Sequence, residues 1–238
     1  MPNPEVGSQE PGRRIIVEGT DGTGKTTVAN LLAWQLRQNG KRVIRVDEPD
    51  SAYDEEGTVL VPAARELRTV IKDGSIERSP GANVVMFTAS RVANWVTASR
   101  PALANGIWVV QARDDTSSDV YQGHAEGYGI ENVEALTFAA LGEQYMNPDF
   151  RVILDFDDAK EEERLRRISS RGVLEKPDTF EMRDQAFQQS LRDGYRLMAD
   201  RRGEEIVMVE GNAQEMATIV WHKMLGKLGI QLTLHPWE

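Results

Sequence analysis

Residues 19–26 fit the phosphate-binding loop pattern G-x-x-x-x-G-K-[ST]. Residues 14–18, directly before this loop, have the apolar character of a buried strand, and residues 27–36 carry apolar side chains on one helical face. A strand, a glycine-rich loop and a helix in this order form the setting in which such a loop binds phosphate. The segment therefore predicts an α/β nucleotide-binding domain.

The residue types of the loop match the chemistry of phosphate binding. Glycine lets the backbone pass close to phosphate oxygens, and successive backbone N–H groups with the helix N-terminus direct positive partial charge at them. Lys25 can reach the β- and γ-phosphates, and the hydroxyl of Thr26 can hold Mg²⁺. We therefore expect ATP and Mg²⁺ as cofactors. The predicted nucleotide-binding residues are Gly19, Asp21, Gly22, Gly24, Lys25, Thr26 and Thr27.

The composition argues against several classes of protein. A formal net charge of −10 argues against a non-specific nucleic-acid binder, which needs a basic surface, although a local basic pocket can still bind an anion. The absence of cysteine excludes disulfides and thiolate chemistry and fits a cytoplasmic location. No apolar run approaches the roughly 20 residues of a membrane span. The N-terminal residues 1–12 lack the regions of a signal peptide.

Short apolar segments alternate with helical patterns, which indicates a parallel sheet with helices on both faces. We predict a three-layer α/β/α fold with one domain, residues 13–228, between a flexible N-terminal tail, 1–12, and a C-terminal tail, 229–238. Residues 51–57 are polar and are expected to form a loop. Five parallel strands are predicted at 15–18, 42–46, 107–110, 152–155 and 206–209, and helices at 63–72, 83–104, 161–171, 179–201 and 213–225.

Two further segments carry residues suited to binding a nucleotide. Phe87 and Arg91 lie four residues apart in a predicted helix and share a face, so that a ring can stack on a base while a guanidinium binds phosphate. Taken alone, this pair fits a core phenylalanine beside a surface arginine better. Residues 111–123 follow the strand 107–110 at the carboxyl edge of the sheet, where open α/β folds bind ligands.

The predicted helix 161–171 carries Arg164, Arg167 and Arg171 on one face. Such a face is ordinarily solvated and balanced by neighbouring glutamates. In a chain with a phosphate loop, arginines on a mobile segment can also close over the nucleotide and stabilise charge on the transferring phosphoryl group.

Taken together, these motifs resemble the thymidylate kinase family, whose members transfer the γ-phosphoryl group of ATP to dTMP. Single matches of this kind are weak, whereas several in the same order are specific, and they cover about residues 14–225. The matching patterns are E-G-x-D-G-x-G-K-T-T at 18–27, E-P at 48–49, L-F-x-A-x-R at 86–91, D-R-Y-x-x-S-S-x-A-Y-Q-G at 112–123, R-G-x-L at 171–174, D-x-F-E at 178–181 and G-Y at 194–195.

The resemblance implies a role for each matching residue. Lys25 would bridge the donor and acceptor phosphates, and Asp21 would meet the deoxyribose 3′-hydroxyl. Phe87 would stack on thymine. Arg91 would hold the base or the acceptor phosphate, and Arg113 the acceptor phosphate. The other residues expected to bind the substrate are Glu48, Ser117, Ser118, Tyr121 and Gln122.

The phosphate loop itself contains no arginine, as in bacterial-type members of the family, whose assisting arginines come from a short helical lid. The resemblance places this lid at about residues 164–180. Arg167 and Arg171 are the candidates for that task and complete the predicted catalytic set with Lys25 and Arg113.

Several positions depart from the family pattern. Ala112 stands where the motif has the aspartate of D-R-Y, which helps to position Mg²⁺ and the acceptor. Asp47, Ser90 and Glu126 replace an arginine, an aspartate and an arginine. The carboxylates that could supply the missing oxygen are Glu48, which we consider first, and Asp47, Asp114 and Asp115.

The sequence thus predicts a kinase for a pyrimidine deoxynucleoside monophosphate, with dTMP as the leading acceptor. Two alternatives remain open: a kinase with another nucleotide acceptor, and a nucleotide-binding homologue whose catalysis is impaired by the loss of the aspartate. The resemblance also implies a homodimer, built on helices 63–72 and 83–104. No nucleic-acid or membrane partner is expected.

Overall fold

A six-stranded sheet forms the centre of the computed structural model, which describes residues 11–160, 163, 164, 166, 180 and 183–237. The strand order is β3-β2-β4-β1-β5-β6, and every neighbouring pair is parallel except β2 and β3. The strands are β1 (Arg14–Gly19), β2 (Val43–Asp47), β3 (Ala52–Tyr53), β4 (Trp108–Ala112), β5 (Phe150–Asp155) and β6 (Glu205–Met208).

The five predicted strands are present within two residues of their predicted bounds, but the predicted strand count was wrong. The additional strand, β3, lies in the segment that was expected to be a loop, and it pairs antiparallel to β2 through Val46 and Ala52. A two-residue edge strand in a polar segment is too short to produce an alternating pattern. The fold is therefore a three-layer α/β/α sandwich with five parallel strands and one antiparallel edge strand.

The helices differ from the prediction in several places. The predicted helix 83–104 is interrupted by a π-helical turn, Trp95–Ser99, ahead of Pro101, which has no N–H to continue the α-helical ladder. The helices Asp115–Ser118, Ile130–Leu141 and Glu143–Met146 had no counterpart in the prediction. The helix Gln185–Arg202 begins later than predicted because the Asp184 carboxylate caps it. The α-helices are α1 (Lys25–Gln38), α2 (Pro62–Lys72), α3 (Pro80–Asn94), α4 (Arg100–Ala104), α5 (Asp115–Ser118), α6 (Ile130–Leu141), α7 (Glu143–Met146), α8 (Gln185–Arg202) and α9 (Ala213–Leu228).

Helices cover both faces of the sheet. On one face, α1 and α9 pack against the alternate residues Ile15 and Val17 of β1. On the other face, Ile44 and Val109 pack against α2 and the helices that follow it, and Ile153 packs against α8. Because both faces are buried, the central strands are apolar almost throughout, which is why they could be recognised in the sequence.

Several predicted features lie outside the described residues. These are residues 1–10 of the predicted N-terminal tail and most of the predicted lid, including Arg167 and Arg171. Of the predicted helix 161–171, the structure describes residues 163, 164 and 166, which are helical. Within the described part of the chain, none of the helices combines the length and the apolar character needed to span a membrane.

The C-terminal segment 230–237 lies against α1 and α9. Ile230, Leu232 and Leu234 alternate along it and pack on the core between these helices. The buried side chain of Gln35 donates to the His235 carbonyl over 2.7 Å and accepts from the His235 N–H over 2.9 Å. This segment therefore fixes the far end of the helix whose first residue is the phosphate-loop lysine.

We expect Gln35→Ala to lower the free energy of unfolding by about 1–3 kcal/mol, because it leaves both backbone groups of His235 without their partners. Gln38→Ala on the exposed side of the same helix is the matched control and should change stability by less than about 0.5 kcal/mol. Urea unfolding of both variants measures the difference. Equal stabilities would show that the segment does not anchor α1.

Candidate active site

The phosphate loop connects β1 to α1 through backbone conformations that favour glycine. Gly19 has φ of 135°, and a Cβ atom there would lie 2.1 Å from the Leu154 carbonyl oxygen of the neighbouring strand. Gly22 and Gly24 have φ of 89° and 87°. No side chain caps α1, and its first turn contains no acidic residue. The N–H groups of this turn therefore form a site suited to phosphate.

Lys25 is buried at the first position of α1 and lies over the loop. Its Nζ donates to the Thr20 carbonyl over 2.7 Å and lies 3.5 Å from Asp21 Oδ1. The ammonium group of the lysine therefore lies inside the loop, next to the position where a phosphate would bind. Thr26, the adjacent residue, is exposed.

Arg113 joins the phosphate loop to the segment that follows β4. Its guanidinium forms an ion pair with Asp21 and donates to Ser117 Oγ over 3.0 Å. Tyr121 donates from its hydroxyl to the other Asp21 oxygen over 2.9 Å. Arg113 has φ of 69°, a left-handed conformation that is strained for a residue with a side chain. The structure thus brings together four residues that the sequence assigned to the donor and acceptor sites.

Glu18, the last residue before Gly19, was matched only as part of a motif, but it occupies the centre of this arrangement. Its fully buried carboxylate accepts hydrogen bonds from the Asp114 N–H over 2.6 Å, from Ser117 and from the Tyr195 hydroxyl over 3.0 Å. Burial, together with the charge of Asp114, raises the pKa of Glu18 from 4.5 to about 7. One carboxylate thereby fixes three elements relative to one another. They are the phosphate loop, α8 and residues 113–123 after β4, which we call the acceptor segment.

Arg91 and Glu48 form a buried ion pair on the acceptor side. Arg91 donates from Nε to Glu48 over 2.7 Å and from Nη2 to the Asp114 carbonyl over 2.8 Å. Its Nη1 is buried and has no hydrogen-bond partner among the described residues. Two of the three nitrogen atoms of the guanidinium are therefore held by the protein, and the binding of a ligand by the third stays a prediction.

Glu48 accepts two further hydrogen bonds, from Gln111 Nε2 over 2.8 Å and from the Tyr145 hydroxyl over 3.1 Å. Burial raises the pKa of Glu48 from its ordinary 4.5 to about 7, even though Arg91 opposes the shift. Its two oxygens are thus already engaged by three protein donors. The role of Glu48 as a metal ligand stays a prediction.

Two residues of the predicted nucleoside site carry buried polar atoms. Ser118 Oγ and Gln122 Nε2 have no hydrogen-bond partner among the described residues, although both side chains are buried. Phe87 is half-buried and lies 5.9 Å from the Arg91 guanidinium and 6.5 Å from the ring of Phe180. Unsatisfied buried polar atoms are costly, so these two atoms are suited to a ligand with hydrogen-bonding edges.

The carboxylates considered as replacements for the missing aspartate at Ala112 have other partners. Asp114 and Asp115 contact the Arg151 guanidinium, and Asp47 forms an ion pair with Arg45 over 2.9 Å. Sequence proximity to position 112 therefore did not predict where these side chains point, because the chain turns directly after β4.

The described residues are compatible with Mg²⁺ bound mainly by substrate phosphates. No group of three or more potential metal-binding side chains is present among them. Mg²⁺ commonly takes only one or two protein oxygens and completes its shell with phosphates and water. The exposed hydroxyl of Thr26 beside the loop fits that donor set. Thr26 is therefore the residue that would hold the ion.

Arg164 also contacts the phosphate loop. It is fully buried, donates from Nη1 to the Asp21 carbonyl over 3.1 Å and lies 3.4 Å from Gln188. The sequence indicated that Arg164 shares a helix face with Arg167 and Arg171, but it did not indicate that Arg164 contacts the loop. Arg167 and Arg171, the two arginines selected from that face, lie outside the described residues, so their roles stay predictions.

Comparison with known proteins agrees with this geometry. Residues 17–219 match the family model described as thymidylate kinase. This chain belongs to the thymidylate kinase family. It is 33% identical over 212 residues to thymidylate kinase of Rhizorhabdus wittichii, covering 87% of this chain and 93% of the relative. It is 33% identical over 202 residues to that of Exiguobacterium sibiricum, covering 84% and 87%, and 31% over 226 residues to that of Afipia carboxidovorans, covering 93% and 92%.

Membership places this protein among the nucleoside-monophosphate kinases, which are phosphotransferases. The family match includes the phosphate loop, the helix carrying Phe87 and Arg91, and the segment after β4. The resemblance inferred from the sequence motifs is therefore confirmed.

The raised pKa of Glu48 predicts a pH-dependent difference between this thymidylate kinase homologue and its Glu48→Gln variant. Because the pKa of the Glu48 carboxyl is higher in the folded state, the carboxyl contributes stability to the fold at low pH. This contribution is fully present below pH 4.5 and is lost as the pH rises through about 7. Between pH 5 and 8, the wild type should therefore lose roughly 1–3 kcal/mol relative to the variant.

Denaturant unfolding at pH 5, 6, 7 and 8 measures this difference. Glu66→Gln on the exposed face of α2 removes the same charge away from the site and serves as the control. Parallel stability curves for wild type and Glu48→Gln would contradict the assignment.

Proposed function

We propose that this protein transfers the γ-phosphoryl group of ATP to dTMP and releases dTDP. The observation that supports this most strongly is the continuous set of contacts from Lys25 through Asp21 to Arg113. Phosphoryl transfer needs the donor and acceptor phosphates in line with positive charge around them, and positioning supplies most of the catalysis. These contacts cross from the donor loop to the acceptor segment, where such a transfer has to occur.

Each residue has a defined task in this proposal. The glycine-rich loop and the first turn of α1 bind the donor phosphates, and Lys25 places its charge between donor and acceptor. Arg113 leaves Asp21 in part to bind the acceptor phosphate, whose oxygen attacks the γ-phosphorus directly, without a covalent enzyme intermediate. The bond from the γ-phosphorus to the bridging oxygen breaks, and ADP leaves. Arg164 contributes charge beside the loop, and Thr26 would hold Mg²⁺, which would neutralise phosphate charge.

The acceptor pocket supports a nucleoside with a planar, hydrogen-bonding base. Phe87 offers a face for stacking, while Arg91 Nη1, Ser118 Oγ and Gln122 Nε2 offer groups that lack partners among the described residues. The substitutions at Ala112, Asp47, Ser90 and Glu126 favour, as the second candidate, the same transfer to a different nucleotide acceptor. Retention of Lys25, Arg91 and Arg113 argues against an impaired homologue.

A panel of nucleoside monophosphates with ATP and Mg²⁺, assayed by ADP release, tests the function. We expect dTMP to give the highest kcat/KM, and Lys25→Ala to lower kcat by at least about 100-fold because it removes charge stabilisation at the transferring group. Lys227→Ala, at an exposed position on α9, is the matched control and should behave like wild type.

Each other outcome has a defined meaning. Faster turnover of another monophosphate would establish the alternative acceptor. Binding of ATP and dTMP without ADP release would identify an impaired homologue. Full turnover by Lys25→Ala would refute the role of the lysine.

The proposal includes a homodimer. Val85 on α3, Val96 in the π-helical turn after it and Phe138 on α6 leave 57%, 46% and 56% of their surfaces exposed. Helix α3 packs beside α6, so these side chains extend over adjoining elements. An exposed apolar surface of this kind is typical of a protein interface. The cytoplasmic location expected from the sequence stays a prediction.

Light scattering tests the dimer. We expect twice the 26.6 kDa mass of the chain for the wild type, and a shift towards the single-chain mass for Phe138→Asp because a charge at a buried interface is unfavourable. Ile219→Asp, at an exposed apolar position on α9, should remain dimeric. A wild type with the mass of one chain would overturn this part of the proposal.

A further inference from the structure

Three aspartates of the acceptor segment form a buried charge cluster with three arginines from other parts of the fold. The aspartates, at positions 114, 115 and 119, belong to the segment itself and are fully buried. The arginines come from three other elements. They are Arg14 on β1, Arg151 on β5 and Arg202 at the end of α8.

Arg151 and Asp114 make the closest contact in this cluster. Arg151 donates from Nε over 2.8 Å and from Nη2 over 2.6 Å to the same oxygen, Asp114 Oδ2. The other oxygen of Asp114 accepts from the Thr116 N–H over 2.9 Å. Arg14 Nη2 lies 3.9 Å from Asp114 Oδ2. The carboxylate therefore has a single allowed orientation, which Arg151 sets.

The backbone of Asp114 carries that orientation into the acceptor site. Its carbonyl accepts from Arg91 Nη2 over 2.8 Å, and its N–H donates to Glu18 over 2.6 Å. The residue before it is Arg113, in its left-handed conformation. A strained residue persists only where its surroundings determine its geometry. The two guanidinium groups expected to meet the acceptor thus both depend on the placement of one peptide segment.

Arg202 holds the next part of the same segment in a similar way. It donates to Thr116 Oγ1 over 2.7 Å, to Asp119 over 2.7 Å and to Asp115 over 3.0 Å. Arg151 and Arg202 thus hold consecutive parts of the acceptor segment through Asp114, Asp115, Thr116 and Asp119.

Asp114 also stands at the position where the D-R-Y motif has its tyrosine, two residues after Ala112, which stands at the position of its aspartate. The chain thus lacks the motif carboxylate at one position and has a carboxylate two residues later, turned towards Arg151. The positive partner lies in β5, where Arg151 is a charged residue within a strand that is otherwise mostly apolar.

We propose that Arg151 is a positioning residue for the acceptor site, acting through Asp114 to place Arg113 and Arg91. The inference rests on the proposed function, because it assigns these two arginines to the acceptor nucleotide. Arg151 pairs with Asp114, Asp115 and Glu204, none of which the proposed function assigns to a substrate. Its contribution therefore belongs to acceptor binding and alignment, and not to ATP binding.

Steady-state kinetics of Arg151→Met, Arg151→Lys and Asp114→Asn test the inference, with dTMP and ATP varied separately. We expect Arg151→Met to raise the KM for dTMP by about tenfold or more, because small misplacements of aligning groups cost up to about 100-fold, and to leave the KM for ATP within about twofold. Arg151→Lys cannot place two donors on one oxygen and should restore affinity only in part. Adding Asp114→Asn to Arg151→Met should produce little further loss, since both changes break the same contact.

Met224→Ala, in the core on the opposite face of the sheet, is the control for lost stability. It should lower the melting temperature without raising the KM for dTMP selectively. Should Arg151→Met fail to fold, Arg151→Lys and Asp114→Asn carry the test. Equal changes in the KM for dTMP and ATP, or an unchanged KM for dTMP in a variant that folds, would overturn the inference while the proposed function stands. A wild type without turnover of dTMP or any other monophosphate would overturn the proposed function, and the inference with it.

Discussion

The buried carboxylate of Glu18 is the interaction on which the rest of the site depends. It lies at the carboxyl end of the central strand, next to the glycine that begins the phosphate loop, and it accepts hydrogen bonds from Asp114, Ser117 and Tyr195. These donors come from the acceptor segment and from α8. A reaction between two bound phosphates tolerates little change in their separation, and this one carboxylate sets the distance between the elements that bind them.

Maintaining such a carboxylate in the interior is energetically costly. Burial raises the pKa of Glu18 and of Glu48 to about 7, which shows how strongly the surroundings disfavour their charged forms. A buried ion pair seldom stabilises a protein more than apolar residues of similar size. The charges around the acceptor segment are therefore better explained by the geometry they impose than by a contribution to stability.

The sequence predicted those parts of the structure whose signals are local. The phosphate loop, its strand and its helix occupy consecutive residues, and the five parallel strands are apolar because helices bury both faces. The two-residue strand β3 and the π-helical turn at Trp95–Ser99 leave no periodic signal. They depend on pairing and on Pro101, and tertiary packing determines their form.

The sequence shows which charged residues are present, but it was harder to predict which residues they pair with. Asp114 and Asp115 were considered as replacements for a metal-binding carboxylate because they follow position 112, but they pair with Arg151, 37 and 36 residues away in the chain. An arginine within an apolar strand was the available signal, since a buried charge requires a partner. Without the register of β5 against β1, that partner could not be identified.

The acceptor arginines are held in place by carboxylates, and this affects how an acceptor phosphate binds. Asp21 pairs with Arg113, and Glu48 pairs with Arg91, so neither guanidinium is freely mobile. Burial opposes ionisation of Asp21, but Arg113 and Lys25 outweigh it and hold its pKa below the ordinary range. An arriving phosphate must therefore compete with an ionised carboxylate for Arg113. The competition lowers the net electrostatic gain of binding, while the arginine needs less reordering because its position is already fixed. In the proposed acceptor site, selectivity would then follow from geometry, because a phosphate could replace Asp21 only where the nucleoside attached to it also fits beside Phe87.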